Sequence, residues 1–127
     1  MINAKDGLLD SKLRHVIECG EIQLRPYDRY GEPRGDMDWF PLSGRAGEGY
    51  ECFLLRFQPG ARSTPHEHSG HEQFLMLDGE LEDCDGTVFR AGDFVTFKPG
   101  SRHYSVSEKG CTMLVILRGQ NYALSGS

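Results

Sequence analysis

From Tyr50 onward, apolar and polar residues follow short runs with a period of two, broken at regular intervals by Gly, Pro and Asp. Strands are predicted over Glu51–Gln58, Gln73–Leu77, Glu80–Asp83, Thr87–Arg90, Phe94–Phe97, His103–Ser107 and Cys111–Arg118. The intervening Pro59-Gly60, Asp78-Gly79, Asp85-Gly86, Ala91-Gly92-Asp93, Lys98-Pro99-Gly100 and Glu108-Lys109-Gly110 supply turn residues. Asp78-Gly79 fits a two-residue hairpin. Alternation of Phe53, Leu55 and Phe57 with Arg56 and Gln58 assigns one face of the first strand to the core, and Phe94 and Phe97 are read as core as well. No helical period of comparable strength appears after residue 20. Residues 1–48 lack a clear period, because Val16-Ile17 and Trp39-Phe40 are interrupted by RPYDRYGEPRGDMD and SGRAGEG. They read as an irregular N-terminal extension packing on an all-β core of residues 49–127.

A chain of 127 residues matches one ordinary domain. Its hydrophobic share of 38% and charged share of 26% are those of a globular protein rather than a disordered one. A net charge of −5 gives no electrostatic reason to approach nucleic acid or an anionic membrane. The first twenty residues contain no apolar run behind a basic stretch, and no later run approaches the roughly 18 apolar residues of a membrane span. A cytoplasmic location is the expectation. Cys19, Cys52, Cys84 and Cys111 form no CxxC pair, which argues against a zinc ribbon or a thioredoxin-type site. They are read as reduced, mostly buried thiols.

The chemistry concentrates between Gly60 and His103. His66 and His68 are two residues apart, so on an extended strand both rings face the same side. Glu72 comes after a Ser-Gly bend at an even spacing that can return its carboxylate to that face. His103 comes from a separate strand just after Pro99-Gly100. Three imidazoles and one carboxylate suit a divalent transition metal such as Fe, Zn, Mn, Co, Ni or Cu better than Ca or Mg. The quartet closes a tetrahedral zinc site but leaves two positions open on an octahedral ion. No Ser/His/Asp or Cys/His nucleophilic set accompanies it, so no catalytic group beyond the metal ligands is assigned. His71, in the bend, reads chiefly as a solvated histidine. If Glu72 faces the metal, Phe74 and Met76 share its face, and Met76 becomes a candidate for the pocket wall. Arg56, Tyr104 and His71 are further candidates for contact with a small-molecule ligand or substrate. His15 and Glu82 read as surface residues.

The spacing G-x5-H-x-H-x3-E-x6-G from Gly60 to Gly79 resembles the first motif of the cupin family at every position. The run Gly92-Asp-Phe-Val-Thr-Phe-Lys-Pro99-Gly100-Ser-Arg-His103 resembles the second, with Pro next to Gly and Ser107 where that family often has Asn. The resemblance implies an all-β fold, a cupin-type double-stranded β-helix (jelly-roll) barrel, with one divalent metal (Fe, Zn, Mn or Ni) held at its mouth by His66, His68, Glu72 and His103. It also implies a homodimer. The wording from His66 to His103 is similar to the cupin half of ChrR-type anti-sigma factors and to stand-alone small-molecule dioxygenases. Residues 1–48 are too short and irregular for a sigma-binding domain, which favours the stand-alone form. A dioxygenase-type enzyme is the leading expectation, and a non-catalytic zinc-bound sensor or ligand-binding module is the alternative.

Overall fold

The computed structural model describes residues 7–45 and 47–124. The outermost residues of the expected extension and barrel, together with Ala46 of the SGRAGEG segment, therefore lie outside the described residues. Among the described residues, a 3-10 turn at Ser11–Leu13 is followed by twelve strands. In chain order they are β1 (Arg25–Tyr27), β2 (Arg34–Arg45), β3 (Tyr50–Phe57), β4 (Ala61–Arg62), β5 (His66–His68), β6 (Glu72–Asp83), β7 (Val88–Arg90), β8 (Phe94–Phe97), β9 (Arg102–His103), β10 (Ser105–Ser107), β11 (Cys111–Leu117) and β12 (Asn121–Ala123). All pairings are antiparallel, as an all-β jelly roll requires. The large sheet runs β1-β2-β3-β11-β6-β10-β4, with β7 and β8 also on β6. A small sheet, β12-β5-β9, stands beside it.

Strict alternation builds the core. In β3 Phe53, Leu55 and Phe57 are buried, and in β11 Cys111, Met113, Val115 and Leu117 are buried. The residues between them take the outer face. Phe74 and Met76 of β6, with Leu81 further along, complete the inner layer. Each such side chain contributes about 1.5–3 kcal/mol on leaving water.

Four expectations are corrected. Gln73–Leu77 and Glu80–Asp83 are one continuous strand, β6, and Asp78-Gly79 is no hairpin. A register shift against β11 occurs beside it, where Thr112 pairs Asp78 but Met113 pairs Met76, and this bulge lets the strand pass from β11 and β8 to β7 and β10. Residues 34–45 are not irregular. They pair with β3 along its length and send Met37 and Trp39 into the core, so a boundary at residue 48 falls between two bonded strands of one sheet. Phe94 is 57% exposed, because it pairs with Leu75 on the outer face while Val95 and Phe97 turn inward. Finally, only Cys111 of the four free thiols is buried, whereas Cys52 is half-buried and Cys19 and Cys84 are exposed.

Candidate metal centre

Backbone pairing alone brings three of the four candidate side chains together. His66 of β5 sits opposite His103 of β9, and His68 lies two residues along β5 on the same side. Glu72 opens β6 just beyond the Ser69-Gly70 bend. At Gly70 an added Cβ would lie 2.3 Å from the Arg118 carbonyl oxygen, so the bend requires glycine to come this close to β11's exit. The metal-binding atoms of His66, His68, Glu72 and His103 all lie within 4.8 Å of one another. Nε2 of His66 and Nε2 of His68 are 3.0 Å apart, and Nε2 of His68 is 3.4 Å from Glu72 Oε2. Two donors about 2.1 Å from one ion are about 3.0–3.4 Å apart at octahedral or tetrahedral angles, so these separations fit a shared cation.

The outer partners of the rings determine which nitrogen is free. His66 Nδ1 lies 2.6 Å from the Thr64 carbonyl, and His103 Nδ1 lies 2.8 Å from Asp83 Oδ1. A carbonyl or carboxylate only accepts, so both Nδ1 atoms carry the hydrogen and both Nε2 atoms present a lone pair. His103 Nε2 is buried without a hydrogen-bond partner. His68 Nδ1 is 2.9 Å from Ser101 Oγ. Asn121 Nδ2 donates to Glu72 Oε2 at 3.0 Å. Every candidate ligand is thus oriented by a second side chain or a carbonyl, as metal ligands are.

Charge states agree with this arrangement. Burial, with His103 and His68 nearby, pulls the His66 imidazolium pKa down against the opposing pull of the Thr64 carbonyl, which keeps the ring neutral. Burial alone would raise Glu72, but hydrogen bonds from His68 and Asn121 hold its carboxyl below its ordinary value. Asp83 behaves likewise: burial opposes ionisation, and His103 outweighs it. Convergent lone pairs, one carboxylate and an orphaned buried nitrogen make a site that fits one divalent cation.

The cluster is not sealed. His66, Glu72 and His103 open onto a cavity of about 390 Å³ inside the barrel, within the range of small-molecule pockets. Its wall is apolar over Met37, Phe53, Leu55, Phe57, Phe74 and Met113. Phe74 therefore lies where its period placed it. Met76 is buried 1% exposed in the core but does not reach the cavity wall. Arg56 stands on the outer face and pairs with Asp38 at 3.0 Å, and Tyr104 lies under the Arg62 guanidinium, 4.1 Å from its ring centroid. Neither lines the cavity: Arg56 occupies the alternate phase of β3, and Tyr104 is the single residue between β9 and β10. His71 is exposed in the bend and engages Arg118 through its carbonyl. Sequence reasoning missed Tyr27, Tyr30 and Asn121 on the wall, and Asp83 and Ser101 behind the rings. The short Asn121-Tyr122-Ala123 run after Gly119 was the available signal for β12.

The barrel and its three-imidazole, one-carboxylate cluster define a cupin with a site able to hold a metal. The match to the model of the ChrR cupin-like domain extends over residues 16–120, and the chain belongs to that family. None of the curated proteins matches it. Among solved structures, a cupin-like protein of unknown function from Ralstonia eutropha JMP134 is 22% identical, with 80% of this chain and 66% of that one covered and a TM-score of 0.69. A putative acetylacetone dioxygenase from Methylibium petroleiphilum PM1 is 13% identical, with coverages of 99% and 87% and a TM-score of 0.77. The complex of Rhodobacter sphaeroides SigE with the anti-sigma ChrR contains a chain 23% identical, with coverages of 77% and 49% and a TM-score of 0.62. The present chain thus spans about half of that last chain. At these identities the likeness is one of fold.

Proposed function

We propose that His66, His68, Glu72 and His103 bind one divalent transition metal and that the adjoining cavity admits a small molecule for a dioxygenase-type reaction. The observation that carries this reading is the junction of the donor cluster with an apolar cavity of about 390 Å³, since a purely structural ion needs no such space beside it. When bound, the ion supplies Lewis acidity and, if redox-active, a means of using dioxygen. The chain's own part is to hold the four donors through Thr64, Ser101, Asp83 and Asn121 and to keep bulk water from the apolar wall. The partner is a small-molecule substrate. No helix among the described residues is long and apolar enough to cross a membrane, and a cytoplasmic homodimer is part of the proposal. Protein loaded anaerobically with Fe(II) is expected to consume dioxygen when given a diketone or a phenolic ketone. No uptake and no spectral change with any such compound would sink the enzymatic reading.

The family match to ChrR cupin-like domains supports a second reading, a zinc-bound sensor or ligand-binding module without turnover. It predicts zinc in the freshly purified protein, four-coordinate geometry and ligand binding with no product.

A further inference from the structure

Exposed apolar side chains are not scattered evenly over this molecule. Among the described residues nine large hydrophobic side chains are exposed, and three of them are tyrosines, whose hydroxyls tolerate water. The other six fall in two places. Leu8, Leu9, Leu13 and Val16, between 57% and 83% exposed, lie in the N-terminal arm, while Leu77 and Phe94, 46% and 57% exposed, lie on the outer face of the large sheet. Single exposed apolar residues need no explanation, but grouped ones mark a surface that something covers.

The arm leaves its own barrel. Ile17, Ile22 and Leu24 are half-buried, whereas every residue from 7 to 16 is exposed. Among the described residues no strand forms in this stretch, and its one turn, Ser11–Leu13, buries nothing. On the sheet, Phe40, Leu54, Leu114, Leu75 and Phe94 are paired in direct succession across β2, β3, β11, β6 and β8. One apolar row therefore crosses five strands on the outer face, where antiparallel sheets ordinarily carry polar residues. The Arg25 guanidinium lies 6.0 Å from the Phe40 ring centroid at one end of the row, and the Phe94 end is open.

Charge, reach and size agree. Lys12 and Arg14 stand among the apolar residues of the arm, and Asp78 and Asp93 adjoin Leu77 and Phe94. None of these four enters an ion pair among the described residues. Residues 7–16 reach about 29 Å with the turn included, against about 19 Å for four strand spacings. Ten arm residues together with the row and its rim come to about twenty residues a side, the number in a standard interface.

We infer that a second copy of this chain covers both surfaces by exchange of arms. Leu8, Leu9, Leu13 and Val16 of each copy lie on the Phe94 end of the other copy's row, with Lys12 and Arg14 against Asp78 and Asp93. One two-fold operation covers all four surfaces at once, because each copy carries an arm and a row. The inference rests on the homodimer in the function proposed above and assigns that dimer its interface.

Sedimentation equilibrium of the full chain, from about 1 to 100 μM, tests the exchange. The wild type is expected to be a dimer. Leu9→Asp combined with Leu13→Asp, and separately Phe94→Asp, should each raise the dimer dissociation constant at least about tenfold. All three positions are exposed, so the circular dichroism spectrum should be unchanged. Lys12→Glu should weaken the dimer about two- to tenfold, and adding Asp78→Lys to that chain should recover most of the loss. A wild type that stays monomeric throughout the range overturns the dimer and its interface together. A dimer indifferent to the arm changes or to Phe94→Asp overturns the exchange alone, and so does a charge pair without rescue. Zinc content, measured in each sample, keeps these outcomes apart from a failure of the metal site.

Discussion

The carboxylate of Asp83 accepts from His103 Nδ1 at 2.8 Å, and that bond fixes the tautomer whose Nε2 faces the other three donors. An Asp83→Asn change can present an N–H to the same ring nitrogen and favour the opposite tautomer, while the side-chain volume is nearly unchanged. Zinc affinity, measured by competition with a chelator, is expected to fall about 10–100-fold with little change in the circular dichroism spectrum. An unaltered affinity would mean that His103 is oriented without Asp83. Tyr27 leads to a pH prediction. Its phenol is raised from an ordinary value of 10.0 chiefly by burial, so above pH 10 the unfolded chain releases a proton that the folded chain retains. The stabilisation linked to Tyr27 is complete below pH 10 and is lost as the pH climbs, at about 1.4 kcal/mol per pH unit for one group. Urea unfolding between pH 9 and 11 should show a shallower alkaline decline in Tyr27→Phe than in the wild type.

Among the elements, β6 shows what periodicity can and cannot say. Its alternation placed Phe74 inward correctly, yet Asp78-Gly79 looked like a turn, because turn chemistry and bulge chemistry draw on the same residues. The structure assigns Gly79 a φ of +78, and an added Cβ would come 2.1 Å from the Gly110 carbonyl oxygen. Both a left-handed conformation and a backbone contact therefore exclude other residues. Gly79→Ala is expected to cost about 2–4 kcal/mol in chemical denaturation, since neither backbone can yield cheaply. A loss under about 0.5 kcal/mol, the size of a neutral surface change, would show that the bulge can relax. β2 was illegible for a related reason. Its period is interrupted by Gly35, Pro41 and Gly44, and the register against β3 shifts between Pro41 and Ser43, so Met37 and Trp39 could not be phased with the alternation of β3.

For the whole molecule, local and non-local information separate cleanly. His66, His68 and Glu72 were legible because one strand and one bend bring them together, and His103 because a recognisable turn precedes it. Asn121 and Tyr27 were not, because their places depend on β12 pairing β5 and β1 pairing β2, contacts that no short window of sequence contains. The same division governs stability. The inner layer from Trp39 to Leu117 is assembled by β2, β3, β6 and β11 and does not need a cation. The small sheet β12-β5-β9, by contrast, carries three imidazoles, and the inward Nε2 lone pairs of His66 and His103 gain a shared partner only when an ion lies between them. Metal should therefore add stability to a barrel that already folds. An ion present at a hundred times its Kd adds about 2.7 kcal/mol, which for a domain of this size raises Tm by about 10 °C. Treatment with a strong chelator is expected to lower the melting temperature by that order and to leave a cooperative transition, with the full value restored on adding zinc. An unchanged Tm would refute metal binding by the quartet, and loss of all tertiary signal at room temperature would show that the ion, rather than the apolar core, holds the barrel together.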